Sequence, residues 1–91
     1  MPEKPTTLFI HPASIHGGKH HVSEKHTDRN GKTRYVHIAY FDPPGTYYDD
    51  SWNVHYDGCD YEKATLQECK DFLRYLLGRN VSFAKTTDNY E

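Results

Sequence analysis

The sequence predicts an α+β domain: a small, mainly antiparallel sheet of four to five strands with one helix packed on one face, in the order β-β-β-β-α-β. Three features carry that expectation. Short runs rich in β-branched and aromatic residues recur between turn signals over the first two thirds of the chain. Thr65-Leu66-Gln67-Glu68 then opens a single amphipathic helical stripe that Gly78 closes. A helix with one apolar face must cover something, and the sheet is the partner available to it.

Residues 1–5, with two prolines, read as a loose lead. "TTLFIH" (Thr6 to His11) is a first strand, ended by Pro12, which donates nothing to a ladder. Gly17-Gly18, within His16 to Lys19, marks a turn. His20 to His26 and Lys32 to Asp42 flank "TDRNG", and Asn-Gly between two such runs signals a hairpin. The two prolines and the glycine of "DPPGTYYDDS" forbid regular structure, leaving a loop of about eight to ten residues, long enough to be a candidate for function. In "WNVHYD", Trp52, Val54 and Tyr56 alternate onto one face, and Gly58 ends the run. Leu66, Cys69, Leu73 and Leu76 form the helical stripe, widened by Phe72 and Leu77. "NVSFAK" is the last strand, and residues 86–91 are a polar tail expected to be flexible, like residues 1–5. Ninety-one residues accommodate one core, so residues 1–91 are read as one domain.

Leu, Ile, Val and Phe number only sixteen, but a net charge of −2 is too small for a disordered chain. Eight tyrosines and one tryptophan make up the apolar area, which implies a thin core with an aromatic periphery. No stretch approaches the ~20 apolar residues of a membrane span, and "MPEKPTTLFIHP" lacks the pattern of a signal peptide, so the expected compartment is the cytoplasm. Cys59 and Cys69 require no disulfide; Cys69 lies on the helical stripe and is expected in the core.

The segment His20 to His37 holds four of the seven histidines. In a two-residue Asn30-Gly31 loop, His26 lies opposite Tyr35, Glu24 opposite His37 and Val22 opposite Ala39, so His20, Glu24, His26 and His37 share one face. A four-residue loop keeps those faces; a three-residue loop breaks them. Imidazole and carboxylate suit zinc, which makes these four the candidate metal ligands, although no familiar ligand spacing accompanies them. No cofactor is otherwise expected. A catalytic pair drawn from the same hairpin, His26 with His37, is the acid–base alternative, suited to metal-independent RNA cleavage. The chain has no nucleophile motif and no paired carboxylates to support an enzyme further.

Charge divides the chain. Residues 1–41 carry +3 and residues 42–91 carry −5, which together give the net −2. Asp42 to Glu62 contains six acidic residues and no Lys or Arg, interleaved with Tyr47, Tyr48, Trp52, Tyr56 and Tyr61. Aromatic anchors supply much of the energy at protein interfaces, while carboxylates steer a basic partner and repel a nucleic-acid backbone. The expectation is therefore a small protein-binding module, of the inhibitor or phage accessory type, that docks on a larger protein with a basic surface through Tyr47, Tyr48, Asp49, Asp50 and Trp52, with Tyr56 and Tyr61 nearby. The chain itself is expected to be a monomer or a homodimer through a sheet edge. Lys19, Lys25, Arg29, Lys32, Arg34 and Tyr35 form a modest basic patch for nucleic acid, the weaker expectation given a pI near 6.4.

Overall fold

The computed structural model describes residues 6–13 and 18–87. The strands are β1 (Thr6–Ile10), β2 (His20–Thr27), β3 (Thr33–Asp42), β4 (Trp52–Tyr56), β5 (Cys59–Lys63) and β6 (Val81–Lys85), with helix α1 (Leu66–Leu77) between the last two. They form one six-stranded sheet, in the order β5-β4-β3-β2-β1-β6, curled into a half-barrel. Neighbouring strands are antiparallel except β1 and β6, which run parallel with Leu8 beside Phe83. The α+β class and the helix on one face match the sequence reading; the strand count exceeds it by β5.

The extra strand follows from a tight hairpin. Asp57 and Gly58 both adopt positive φ, 53° and 78°, as a two-residue primed turn requires, and Tyr56 pairs with Cys59 across it. "CDYEK" is too polar to read as a strand by propensity. Its pairing with β4 and its inner face hold it in place: the Tyr61 ring lies 4.7 Å from that of Phe72, and Lys63 Nζ lies 3.8 Å from the Phe72 ring centroid.

The β2–β3 hairpin departs from the expected register at two points. Its loop has three residues, Arg29 to Gly31, because Asp28 captures it. The Asp28 carboxylate accepts from the backbone N–H groups of Asn30 and Lys32, both at 2.9 Å, and Gly31 N–H donates to the Asp28 carbonyl at 3.0 Å. Gly31, at φ 79°, supplies the left-handed residue that such a loop needs. The pairs then run Thr27 with Thr33, His26 with Arg34, Glu24 with Val36 and Ser23 with His37. A bulge follows: Ile38 is the extra residue on β3, and beyond it Val22 pairs with Ala39, His21 with Tyr40 and His20 with Phe41.

Helix α1 begins and ends as its sequence signals predict. Thr65 Oγ1 accepts from Glu68 N–H at 3.1 Å, while the Glu68 carboxylate accepts from the N–H groups of Thr65 and Ala64. Gly78, at φ 65°, donates to the Arg74 carbonyl and stops the helix. The apolar stripe lies on the sheet, with Cys69 and Leu73 fully buried among Leu8, Ile10, Val22, Ala39, Phe41, Val54 and Val81. Cys69 is a core residue, as expected; burial pushes its thiol up to about 12.

Residues 1–5, 14–17 and 88–91 lie outside the described residues, and with them His16 and Gly17 of the expected Gly17-Gly18 turn. Thr86, read as part of the flexible tail, donates to the Ile10 carbonyl at 3.1 Å and so extends the β1–β6 pairing. No helix among the described residues is long and apolar enough to cross a membrane.

Leu73 links the helix to the sheet from a position with no exposure. Leu73→Ala should lower unfolding stability by about 2 to 5 kcal/mol through lost transfer energy and the remaining cavity, read as a lower urea midpoint at unchanged slope.

Candidate functional site

The β3–β4 connection, residues 43–51, presents the acidic aromatic segment. Thr46 N–H donates to the Pro43 carbonyl at 3.1 Å and Gly45 N–H to the Tyr48 carbonyl at 2.7 Å, so the loop is pinned by its own backbone. Tyr47 is 55% exposed and meets the half-buried Tyr48 edge to face at 4.8 Å. Asp49 and Asp50 are exposed, and among the described residues no Lys or Arg forms an ion pair with either. Trp52, Tyr56 and Tyr61 lie elsewhere, half-buried against the helix-side core. Trp52 also lines a cleft of about 240 Å³ with Ile10, His20, Leu66 and Lys85.

The four hairpin ligands do not converge. The three-residue loop places His37 beside Ser23 rather than Glu24, so it faces away from His20, Glu24 and His26. Of the helix-side three, His26 Nε2 lies 3.1 Å from Glu24, whose other oxygen takes Arg79 Nη1 at 3.3 Å. His20 is drawn off separately, its Nδ1 donating to the His11 carbonyl at 2.9 Å. No group of three or more His, Cys, Asp or Glu among the described residues is placed to hold a metal ion. The nucleic-acid set is also split. Lys25 and Tyr35 pair on the open face, Arg34 faces the helix side with His26, and Arg29 and Lys32 are exposed at the loop.

The open face instead gathers residues from three strands. His21 of β2, His37 and Tyr40 of β3 and His55 of β4 form a continuous ring array: His21 to His37 is 5.4 Å, His21 to Tyr40 4.4 Å, His37 to Tyr40 4.6 Å and Tyr40 to His55 5.9 Å. His37, Tyr40 and His55 line an open cleft of about 370 Å³. His55 Nδ1 lies 2.9 Å from Asp60 Oδ1, and Asn53 Nδ2 donates to that same oxygen at 2.8 Å and to the buried Asp42 at 2.9 Å. These bonds, Asn53's foremost and then that of His55, hold the Asp60 carboxyl below its ordinary range. An ionised carboxylate only accepts, so His55 carries its proton on Nδ1 and exchanges protons at Nε2. Burial, followed by neighbouring imidazoles, lowers the pKa of both His21 and His37.

The sequence reading missed His21, Tyr40, His55 and Asp60 as a set. The pairing of His21 with Tyr40 follows from alternation in the expected register; the arrival of His37 on the same face depends on the bulge. No family model matches the chain, and no curated protein or solved structure matches it.

The lowered imidazoles give a signed prediction. With folded pKa values of His21 and His37 below 6.5, the unfolded chain binds more protons, so stability falls as pH drops through and below 6.5 and is unaffected well above it. His37→Gln removes one such group and relieves the other. Between pH 7.5 and 5.5 the wild-type urea midpoint should therefore fall relative to that of His37→Gln, and parallel curves would contradict the assignment.

Proposed function

We propose that this chain is a small protein-binding module that docks on a larger protein with a basic surface through Tyr47, Tyr48, Asp49 and Asp50, acting as an inhibitor does by covering that surface. One observation carries the reading: a large aromatic ring, more than half exposed, stands on a loop fixed by its own hydrogen bonds, next to two carboxylates without a cationic partner among the described residues. A pinned loop loses little conformational entropy on binding, which is where flexible contact loops lose affinity. The exposed ring serves as an anchor, and the two charges accelerate encounter with a cationic patch and fix its orientation.

The test is capture from a lysate of cells that express the protein, followed by affinity measurement on the captured partner. Tyr47→Ala with Tyr48→Ala should weaken binding by about 2 kcal/mol or more, roughly 30-fold, at nearly unchanged melting temperature. Asp49→Asn with Asp50→Asn should slow association and flatten its dependence on salt. Capture that survives the tyrosine substitutions undiminished refutes the reading.

A further inference from the structure

The open face of the sheet carries chemistry that docking through the β3–β4 loop does not use. Two imidazoles, His37 and His55, line one cleft from adjacent strands, with the Tyr40 ring lying 4.6 Å from one and 5.9 Å from the other. Two imidazoles can act as base and acid near neutral pH without metal assistance. The cleft residues include no serine, threonine or cysteine, so the reaction that fits best is one whose nucleophile arrives within the substrate. An internal RNA phosphodiester meets that condition, because its own 2′-hydroxyl can attack the adjacent phosphorus.

We propose that this face cleaves single-stranded RNA, with His37 as general base, His55 as general acid and Asp60 as the residue that positions His55. His37 takes the proton from the 2′-hydroxyl as the 2′-oxygen bonds to phosphorus. The bond from phosphorus to the 5′-oxygen breaks, and the His55 imidazolium donates its Nε2 proton to that oxygen. The products are a 2′,3′-cyclic phosphate and a 5′-hydroxyl. No other reagent is consumed, and proton exchange with water restores the pair. Burial keeps His37 below the ordinary imidazole range, so it is unprotonated at neutral pH and able to accept the proton. The Asp60 carboxylate accepts from His55 Nδ1 and fixes the orientation of the ring, leaving Nε2 to face the cleft chemistry.

The rest of the face suits a single strand. Lys19 Nζ lies 5.2 Å from the Tyr40 ring centroid and Lys25 Nζ 5.9 Å from that of Phe9, and the Tyr35 ring packs against Phe9 at 5.9 Å. These half-buried rings present their accessible parts on a sheet face, where aromatic groups can stack unpaired bases and interspersed cations follow the phosphates. Asp57 lines the cleft and Glu62 lies on β5; both repel phosphate, so the strand enters from the β2 side, where Lys19 and Lys25 lie.

The test uses the full, untagged chain, a labelled mixed-sequence single-stranded RNA and its DNA counterpart, with EDTA present. The RNA should be cut to fragments ending in 2′,3′-cyclic phosphate while the DNA stays intact. His37→Ala and His55→Ala should each slow cleavage at least about 100-fold at a melting temperature near that of the wild type. Asp60→Asn should lower kcat with little change in KM, which a loss of folded protein alone would not produce without a matching loss of melting temperature. His26→Ala, on the opposite face, should cut at the wild-type rate. Intact RNA after incubation with the wild-type chain overturns the proposal, and so does wild-type cleavage by folded His37→Ala. Neither result bears on capture through Tyr47 and Tyr48, so the two readings stand or fall separately.

Discussion

The structure depends on a single additional residue, Ile38, in its longest strand. The three-residue loop at Arg29 to Gly31 sets β2 against β3 so that, continued without interruption, Val22 would meet Ile38 and His21 would meet Ala39. Ala39 and Phe41 would then point to the open face, away from Val54 and the helix. The bulge adds one residue to β3 and returns Phe41 to the core, where it pairs with Val54 and is fully buried. The same insertion leaves His37 on the open face three residues from Tyr40, which uniform alternation would place on opposite faces. A packing requirement on one side of the sheet thus assembles the ring array on the other.

This explains what the sequence could reveal. Helix α1 was legible because its signals are local: the cap at Thr65, the stop at Gly78 and a stripe at helical spacing each involve contacts within a few residues. The hairpin was legible as a hairpin, and its register held beyond the bulge, where Val22 meets Ala39, but not between the bulge and the loop, because "DRNG" supports two turns. Asn-Gly suits a two-residue loop, while Asp at the first and Gly at the fourth position of a type I turn suits the three-residue one, and the Asp28 hydrogen bonds decide for the latter. The metal set was built on the wrong choice, so it came apart at His37. The β5 strand had a usable signal in Asp57-Gly58, hidden by a polar sequence whose stability comes from β4 and Phe72 rather than from its own propensity. The parallel seating of β6 beside β1 has no local signal.

The low aliphatic content also has a physical explanation. Among the described residues the helix covers one face of the sheet, and α1 is short, so the buried apolar set is small. The opposite face is half-wet, and the side chains that tolerate such a surface are those with an apolar body and a polar edge. Neutral imidazoles and tyrosines meet this requirement at little desolvation cost, whereas lysine or aspartate at the half-buried His21 would have to hold a charge against burial. The depressed imidazoles are therefore a consequence of how the open face is packed.

The two surfaces meet at Asp60. Its Oδ1 accepts from Asn53 and from His55, and its charge is near enough to Tyr47 of the β3–β4 loop to push that phenol's pKa up. Asn53, with no exposure, extends this chain to the buried Asp42 at the end of β3, so the carboxylate is anchored from behind by two strands. A carboxylate held by several donors stays ionised and keeps its orientation, because rotating it to improve one bond weakens the others. The tautomer of His55 is thus set by the same group whose charge acts on Tyr47. The cleft itself is lined from β3, β4 and the Asp57-Gly58 turn, while the tyrosines stand on the β3–β4 loop, so the network around Asp60 orders the histidine side without any loop residue entering the cleft lining.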